Sequence, residues 1–233
     1  MKREVVLDTE TTGLDPNSGH RIVEIGCVEV VGGLRTGAVF HCYLNPEREV
    51  PDEAFRVHGL STTFLKDKPI FSQKVDEFLE FIADDPLVIH NAGFDMRFIN
   101  AELKNLGFSA LPMERAIDTV LIARKKFPGS PASLDALCKR FAIDLSSRTK
   151  HGALLDAELL ADVYMELLGG RQVTFHLDAG KQETAKTTSE VRTPRGALEP
   201  RDFSPASEEL EAHAHMLSKL KKPLWEEPKE QPA

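Results

Sequence analysis

Along roughly the first 170 residues, apolar and polar positions fall into short blocks with distinct periods. Val5-Val6-Leu7 is an uninterrupted apolar triplet, which predicts a strand covered on both faces. Residues 22–31 alternate well enough for a second strand, Gly32-Gly33 reads as a turn, and residues 38–44 form a third. Neighbouring in sequence, these three predict an antiparallel meander. Residues 71–83 carry a helical spacing, with Val75, Phe78, Leu79 and Ile82 on one side. Leu87-Val88-Ile89 predicts a short strand that runs into His90-Asn91-Ala92-Gly93 and then a helix over 94–106. Residues 133–141 and 153–168 predict further helices, the last stopped by Gly169-Gly170. Residues 117–123 fit strand or helix. Three strands followed by alternating helices and strands predict an α/β fold: a mixed sheet with helices on its faces.

The pattern stops near residue 178. From there to about residue 202 only Val191 and Leu198 are aliphatics larger than alanine, too few to offset the entropy of ordering. The reading is a domain over 1–177, a flexible linker over 178–203 and a tail over 204–233. In the tail, Ser204-Pro205 suggests a helix cap followed by proline at the first helical position. Leu210, Ala214 and Leu217 then share one side, with Leu220 nearby, and Pro223-Leu224-Trp225 follows. Trp225 is the only tryptophan in the chain, set beyond the linker with Leu224, and reads as an anchor for a partner.

Composition narrows the function classes. There are 29 Lys and Arg against 37 Asp and Glu, a net charge of −8, so bulk attraction to nucleic acid is not available. No apolar run approaches the ~20 residues of a membrane span, and the N-terminal apolar stretch is too short for a secretory signal. Three cysteines, Cys27, Cys42 and Cys138, without paired ligand spacing predict neither a disulfide framework nor a structural zinc site, and suit a reduced, cytoplasmic setting.

Four acids occupy positions where packing favours apolar side chains. Asp8 and Glu10, two apart after the first strand, share one sheet face. Asp95 lies on the helical side carrying Phe98, Ile99 and Leu106. Asp156 sits within an apolar stripe of Leu159, Leu160, Val163 and Leu167. Singly, each has an ordinary reading, Asp95 as a helix N-terminal acid and Asp156 as a satisfied buried acid. Together they form a self-repelling set, and an uncompensated buried carboxylate costs several kcal/mol. Arg97 is the only nearby cation in sequence, and one is too few. Hard divalent cations such as Mg²⁺ or Mn²⁺ would compensate with oxygen ligands to spare. His151 stands five residues before Asp156, ~140° away on a continuous helix. The two converge only if His151 sits in a turn ahead of the helix, with Gly152 easing the bend. An imidazole there suits proton transfer near neutral pH.

Asp8-Thr9-Glu10-Thr11-Thr12-Gly13, His90-Asn91-Ala92-Gly93-Phe94-Asp95 and His151-Gly152-Ala153-Leu154-Leu155-Asp156-Ala157 resemble the three motifs of the DEDDh 3′–5′ exonucleases. The likeness spans residues 4–168. It implies a ribonuclease H-like fold with a mixed five-stranded sheet flanked by helices. It also implies two divalent ions held by Asp8, Glu10, Asp95 and Asp156, with His151 as general base. Asp8, Glu10 and Asp156 would also meet the substrate, a single-stranded or frayed 3′ end. The segment Glu53-Ala54-Phe55-Arg56-Val57-His58-Gly59-Leu60 resembles the family's substrate-contacting stretch, which implies that Glu53 and His58 touch the terminal nucleotide. The tail, with Leu217, Leu224 and Trp225, is similar to segments that dock such nucleases on a replicative DNA polymerase. Gln172, Phe175 and Leu177 within residues 172–177 resemble a sliding-clamp-binding peptide. The same motifs also serve RNA-trimming exonucleases, and a non-catalytic scaffold bridging clamp and polymerase is the competing class.

Overall fold

The computed structural model describes residues 2–146, 150–170 and 205–219. The chain divides into two units, Met1–Leu177 and Asp178–Ala233. In the first, five strands form one mixed sheet in the order β3-β2-β1-β4-β5, namely β1 (Arg3–Thr11), β2 (Ile22–Val31), β3 (Leu34–Tyr43), β4 (Leu87–Ile89) and β5 (Ala116–Asp118). The meander β1-β2-β3 is antiparallel, and β4 and β5 add parallel to β1. The strand β1 is thus central, which explains why Val5, Val6 and Leu7 are all buried.

Its alternate residues feed two cores. On one face Val5, Leu7, Ile25 and Cys27 pack with Phe78 and Ile82 of α3 (Val75–Ile82) and with Met96, Phe98 and Ile99 of α4 (Ala92–Asn105). On the other, Val6, Val28, Val30 and Val88 meet Ala157, Leu160 and Val163 of α7 (Ala153–Leu167) and Leu137 of α6 (Leu134–Arg140). The result is three layers, helix–sheet–helix.

Differences from expectation have local causes. Two short helices, α1 (Asp52–His58) and α2 (Thr62–Leu65), lie in a stretch whose pattern predicts no element. The helix expected over 71–83 is a 3₁₀ turn, Phe71–Gln73, followed by α3. The ambiguous stretch over 117–123 is both structures in succession: β5, then α5 (Thr119–Lys126). The Asp118 carboxylate makes the switch by accepting from Val120 N–H at 2.8 Å. In the second unit, α8 (Ser207–Leu217) starts after Ala206 rather than at Pro205, because the Glu209 carboxylate turns back to accept the Ala206 N–H at 3.0 Å. Leu210 of α8 is exposed and Leu217 half-buried. Ser204, Leu220, the linker, Leu224 and Trp225 lie outside the described residues, as do Gln172, Phe175 and Leu177.

Candidate active site

The site is built at the C-terminal end of β1. Pleating sends Asp8 and Glu10 to the α7 side, where their partners on β2 are Gly26 and Glu24, and sends Thr9 to the other side. There Thr9 meets α4. Its backbone N–H, at 3.0 Å, and its hydroxyl, at 2.6 Å, both donate to one oxygen of Asp95. The helix α4 begins at Ala92, two residues earlier than its spacing predicts, because Asn91 takes a left-handed conformation (φ 70°, ψ 55°). Asp118 stabilises that turn by accepting from the N–H groups of Asn91 and Ala92, each at 3.2 Å. Asp95 therefore sits in the first turn of a helix whose start is tied to β5.

The fourth acid arrives from α7. Gly152 is extended (φ −154°, ψ 126°) and precedes the helix, and Asp156 N–H closes the first turn on the Gly152 carbonyl at 2.9 Å. His151 therefore lies in the turn ahead of the helix, and its Nδ1 is 3.1 Å from Asp156 Oδ2. A neutral ring that donates from Nδ1 leaves Nε2 as its basic nitrogen. The His151 backbone N–H donates to Val57 of α1 at 3.3 Å. Donor atoms of Glu10, His151 and Asp156 all fall within 4.8 Å of one another.

The electrostatics match a cation site. Burial, reinforced by the charges of Asp95, Glu10, Asp156 and Glu24, pushes the Asp8 carboxyl well above the usual carboxylate range. Burial likewise pushes Asp95 up to about 7, against the pull of its Thr9 hydrogen bonds. Arg97, the one cation near these acids in sequence, is exposed and donates to the Gly93 carbonyl. Hard oxygen donors, two of which (Asp8 and Asp95) burial drives toward protonation, fit divalent cations, which Asp8, Glu10, Asp95 and Asp156 would hold.

A cleft of about 500 Å³ adjoins the acids, with Glu10 in its wall. It is lined by Thr11 to Leu14, Glu53, Val57, His58 and Phe94, among others, so both α1 residues expected at the substrate border it. Glu53 is exposed, whereas His58 is buried and accepts the Leu60 N–H on Nδ1 at 3.0 Å. Its proton is therefore on Nε2, and burial lowers its pKa and keeps the ring neutral. That Nε2 has no hydrogen-bond partner among the described residues. His20 also lines the cleft, its ring 3.1 Å from the Thr12 hydroxyl.

Three contributors carry no signal of their own in the pattern. Thr9 is the spacer between two acids, Asp118 falls in the ambiguous stretch, and Glu24 looks like an ordinary strand residue. In the fold Glu24 is buried opposite Glu10 and held by His41 Nε2 at 2.8 Å. The motif spacing could have pointed to Thr9; nothing local pointed to Glu24.

Solved structures place this architecture. The nuclease domain of 3′hExo, a DEDDh family member bound to rAMP, superposes with a TM-score of 0.62 at 18% identity, over 72% of this chain and 92% of that one. Exonuclease X, solved with 5′-overhanging duplex DNA, gives 0.58 at 26% identity, covering 71% and 90%. The sequence model of the RNase_T family, described as Exonuclease, matches residues 5–164. Fold and acid cluster thus define a nuclease of the ribonuclease H-like class. DNA polymerase III subunit epsilon of Rickettsia felis is 51% identical over 226 residues, 94% of this chain and 97% of that protein. The subunit of the same name from Escherichia coli K12 is 43% identical over 235 residues, 95% of each. The chain belongs to the DNA polymerase III epsilon family of exonucleases.

Proposed function

We infer that the protein is a metal-dependent 3′–5′ exonuclease that removes nucleoside 5′-monophosphates from mispaired primer ends as the proofreading subunit of a replicative DNA polymerase. The observation that supports it is that donor atoms of Glu10, His151 and Asp156 lie within 4.8 Å of one another, with Asp8 on the strand face of Glu10, Asp95 bonded to the intervening Thr9, and His151 hydrogen-bonded to Asp156. Two divalent cations bound there, Mg²⁺ or Mn²⁺, would supply the Lewis acidity that phosphodiester hydrolysis needs at the attacking and departing oxygens. The chain's own residues do the rest. His151 accepts the proton of the attacking water on Nε2, and Asp156 holds the ring in the required tautomer and steadies it once charged. The Nε2–H of His58 donates to the terminal nucleotide, beside Glu53. Leu14, which is 80% exposed on the rim, and Phe94 offer apolar surface to a base.

A frayed end enters such a cleft more cheaply than a paired one, because a paired end must first be opened. Mispairs are thereby favoured without any reading of base identity. The acidic body holds long DNA poorly, so delivery falls to a partner. Leu217, Leu224 and Trp225 in residues 204–233 dock on the polymerase's catalytic α subunit, and residues 178–203 tether the nuclease while letting it reach the primer. Gln172, Phe175 and Leu177 engage the sliding clamp.

The test is digestion of matched oligonucleotides by the full chain with Mg²⁺ or Mn²⁺. A mispaired 3′ end should be degraded faster than a paired one, and single-stranded DNA faster than RNA of the same sequence. Faster RNA digestion would transfer the reading to RNA trimming. No metal-dependent digestion would leave a scaffold.

A further inference from the structure

The catalytic groups come from two bodies, the sheet (Asp8, Glu10) and the start of α7 (His151, Asp156), and something must set the gap between them. The two bodies meet backbone to backbone at Gly26. This residue is the β2 partner of Asp8, so it lies beside that carboxylate on the same face of the sheet. A Cβ built on Gly26 would stand 2.3 Å from the Leu154 nitrogen, 2.4 Å from the Ala153 carbonyl carbon and 2.4 Å from the Leu154 Cα. All three are backbone atoms of the first turn of α7, so no side chain can swing aside to make room. The backbone of α7 therefore lies directly on the sheet at this point, one residue pair from Asp8. It carries His151 two residues before the contact and Asp156 two residues after it.

We propose that Gly26 is the positioning residue that sets the spacing between the two halves of this site, on the exonuclease reading given above. A methyl group there pushes the first turn of α7 off the sheet. Further along the same face, Val28 and Val30 make ordinary apolar contacts with the helix and keep its remainder in place. The displacement is thus confined to the end that bears His151 and Asp156. Small displacements of this kind are costly where reacting groups must be aligned, a 1 Å shift being worth about a hundredfold in rate.

The experiment compares Gly26→Ala with Val28→Ala in the full chain. The second change is a truncation on the same strand and face, under the same helix, but away from the acids. Both proteins are characterised by circular dichroism and by Tm from a thermal scan, by kcat and KM on a mispaired oligonucleotide, and by Mn²⁺ affinity from calorimetry without substrate. For Gly26→Ala the expected results are a native spectrum, kcat reduced about a hundredfold with KM little changed, and Mn²⁺ bound at least tenfold more weakly. Val28→Ala should lose Tm and keep both kcat and Mn²⁺ affinity. Equal kcat loss in the two variants, unchanged Mn²⁺ affinity in Gly26→Ala, or a Gly26→Ala chain that does not fold would each overturn the proposal. An inactive parent protein would instead defeat the exonuclease reading, which separates the two failures.

Discussion

Two helices bring acids to the end of β1, and they are held there by different means. The start of α4 is tied by hydrogen bonds: Asp95 to Thr9 on β1, and Asn91 and Ala92 to Asp118 on β5. The start of α7 has no side-chain cap and rests on backbone contact at Gly26, on the Val57 carbonyl and on the His151–Asp156 pair. The Asp95 half is thus buried and polar-bonded. The Asp156 half has a buried acid facing an exposed histidine, with side-chain exposures of 5% and 48%. The lesson is a division of labour. The α4 half is built to keep a carboxylate fixed against its own tendency to protonate, and the α7 half to leave a base reachable by solvent.

The strand both helices address should give the largest effect. Asp8→Ala is expected to abolish turnover and, in metal-free protein, to raise Tm. The gain should be of the order of 1–3 kcal/mol, or about 2–4 °C per kcal/mol for a domain of this size. Retained metal-dependent digestion would break the assignment. His151→Gln tests the solvent-facing half. Turnover should fall by ~10²–10⁴ while Mn²⁺ still binds, and the limb of the pH–rate profile due to the base should vanish.

Thr9→Val probes the buried half. It removes the hydroxyl donor to Asp95 and leaves the backbone donor, a loss of about 1.5–3 kcal/mol in a charge-assisted bond, or roughly ten- to hundredfold in rate. Because that donor favours the ionised carboxylate, its removal should push Asp95 further up in metal-free protein, read by NMR titration of its carboxyl in EDTA. An unmoved titration would show that Thr9 does not govern Asp95.

A smaller effect is expected in stability. Asp8 and Asp95 are raised above the ~4 of an unfolded carboxyl, so between those values the folded state holds more protons than the unfolded one. In EDTA, stability should therefore fall as pH rises from about 4 through 7, and added Mg²⁺ should restore it at pH 8. A metal-free Tm that is flat or rising over that range would contradict the burial of these acids. The smallest effect on chemistry is expected from the tail. Trp225→Ala should leave digestion of a short oligonucleotide unchanged while weakening capture of the polymerase α subunit by about 2 kcal/mol, roughly thirtyfold.

Much of this site was legible in the chain before any fold. Asp8 and Glu10 share a face because strands have a period of two, and Asp156 stands out because a carboxylate breaks an apolar helical stripe. His151 can reach Asp156 only from outside the helix, and it does. These are short-range geometric facts, carried by spacing alone. The helices α1 and α2 were not legible: α2 has only four residues, and α1 buries only His58, so no apolar stripe marks it.

Residue spacing along the chain settles which chemical groups the site has and the faces on which they stand. Their partners come from folding alone: Thr9 with Asp95, Asp118 with the turn before α4, Glu24 with His41, and the bare backbone of Gly26 beneath α7. The reason is that each of these contacts joins residues 17 to 128 positions apart, and no local periodicity carries information over such distances. They are set by strand order and register, which emerge when the two apolar faces of β1 are buried together.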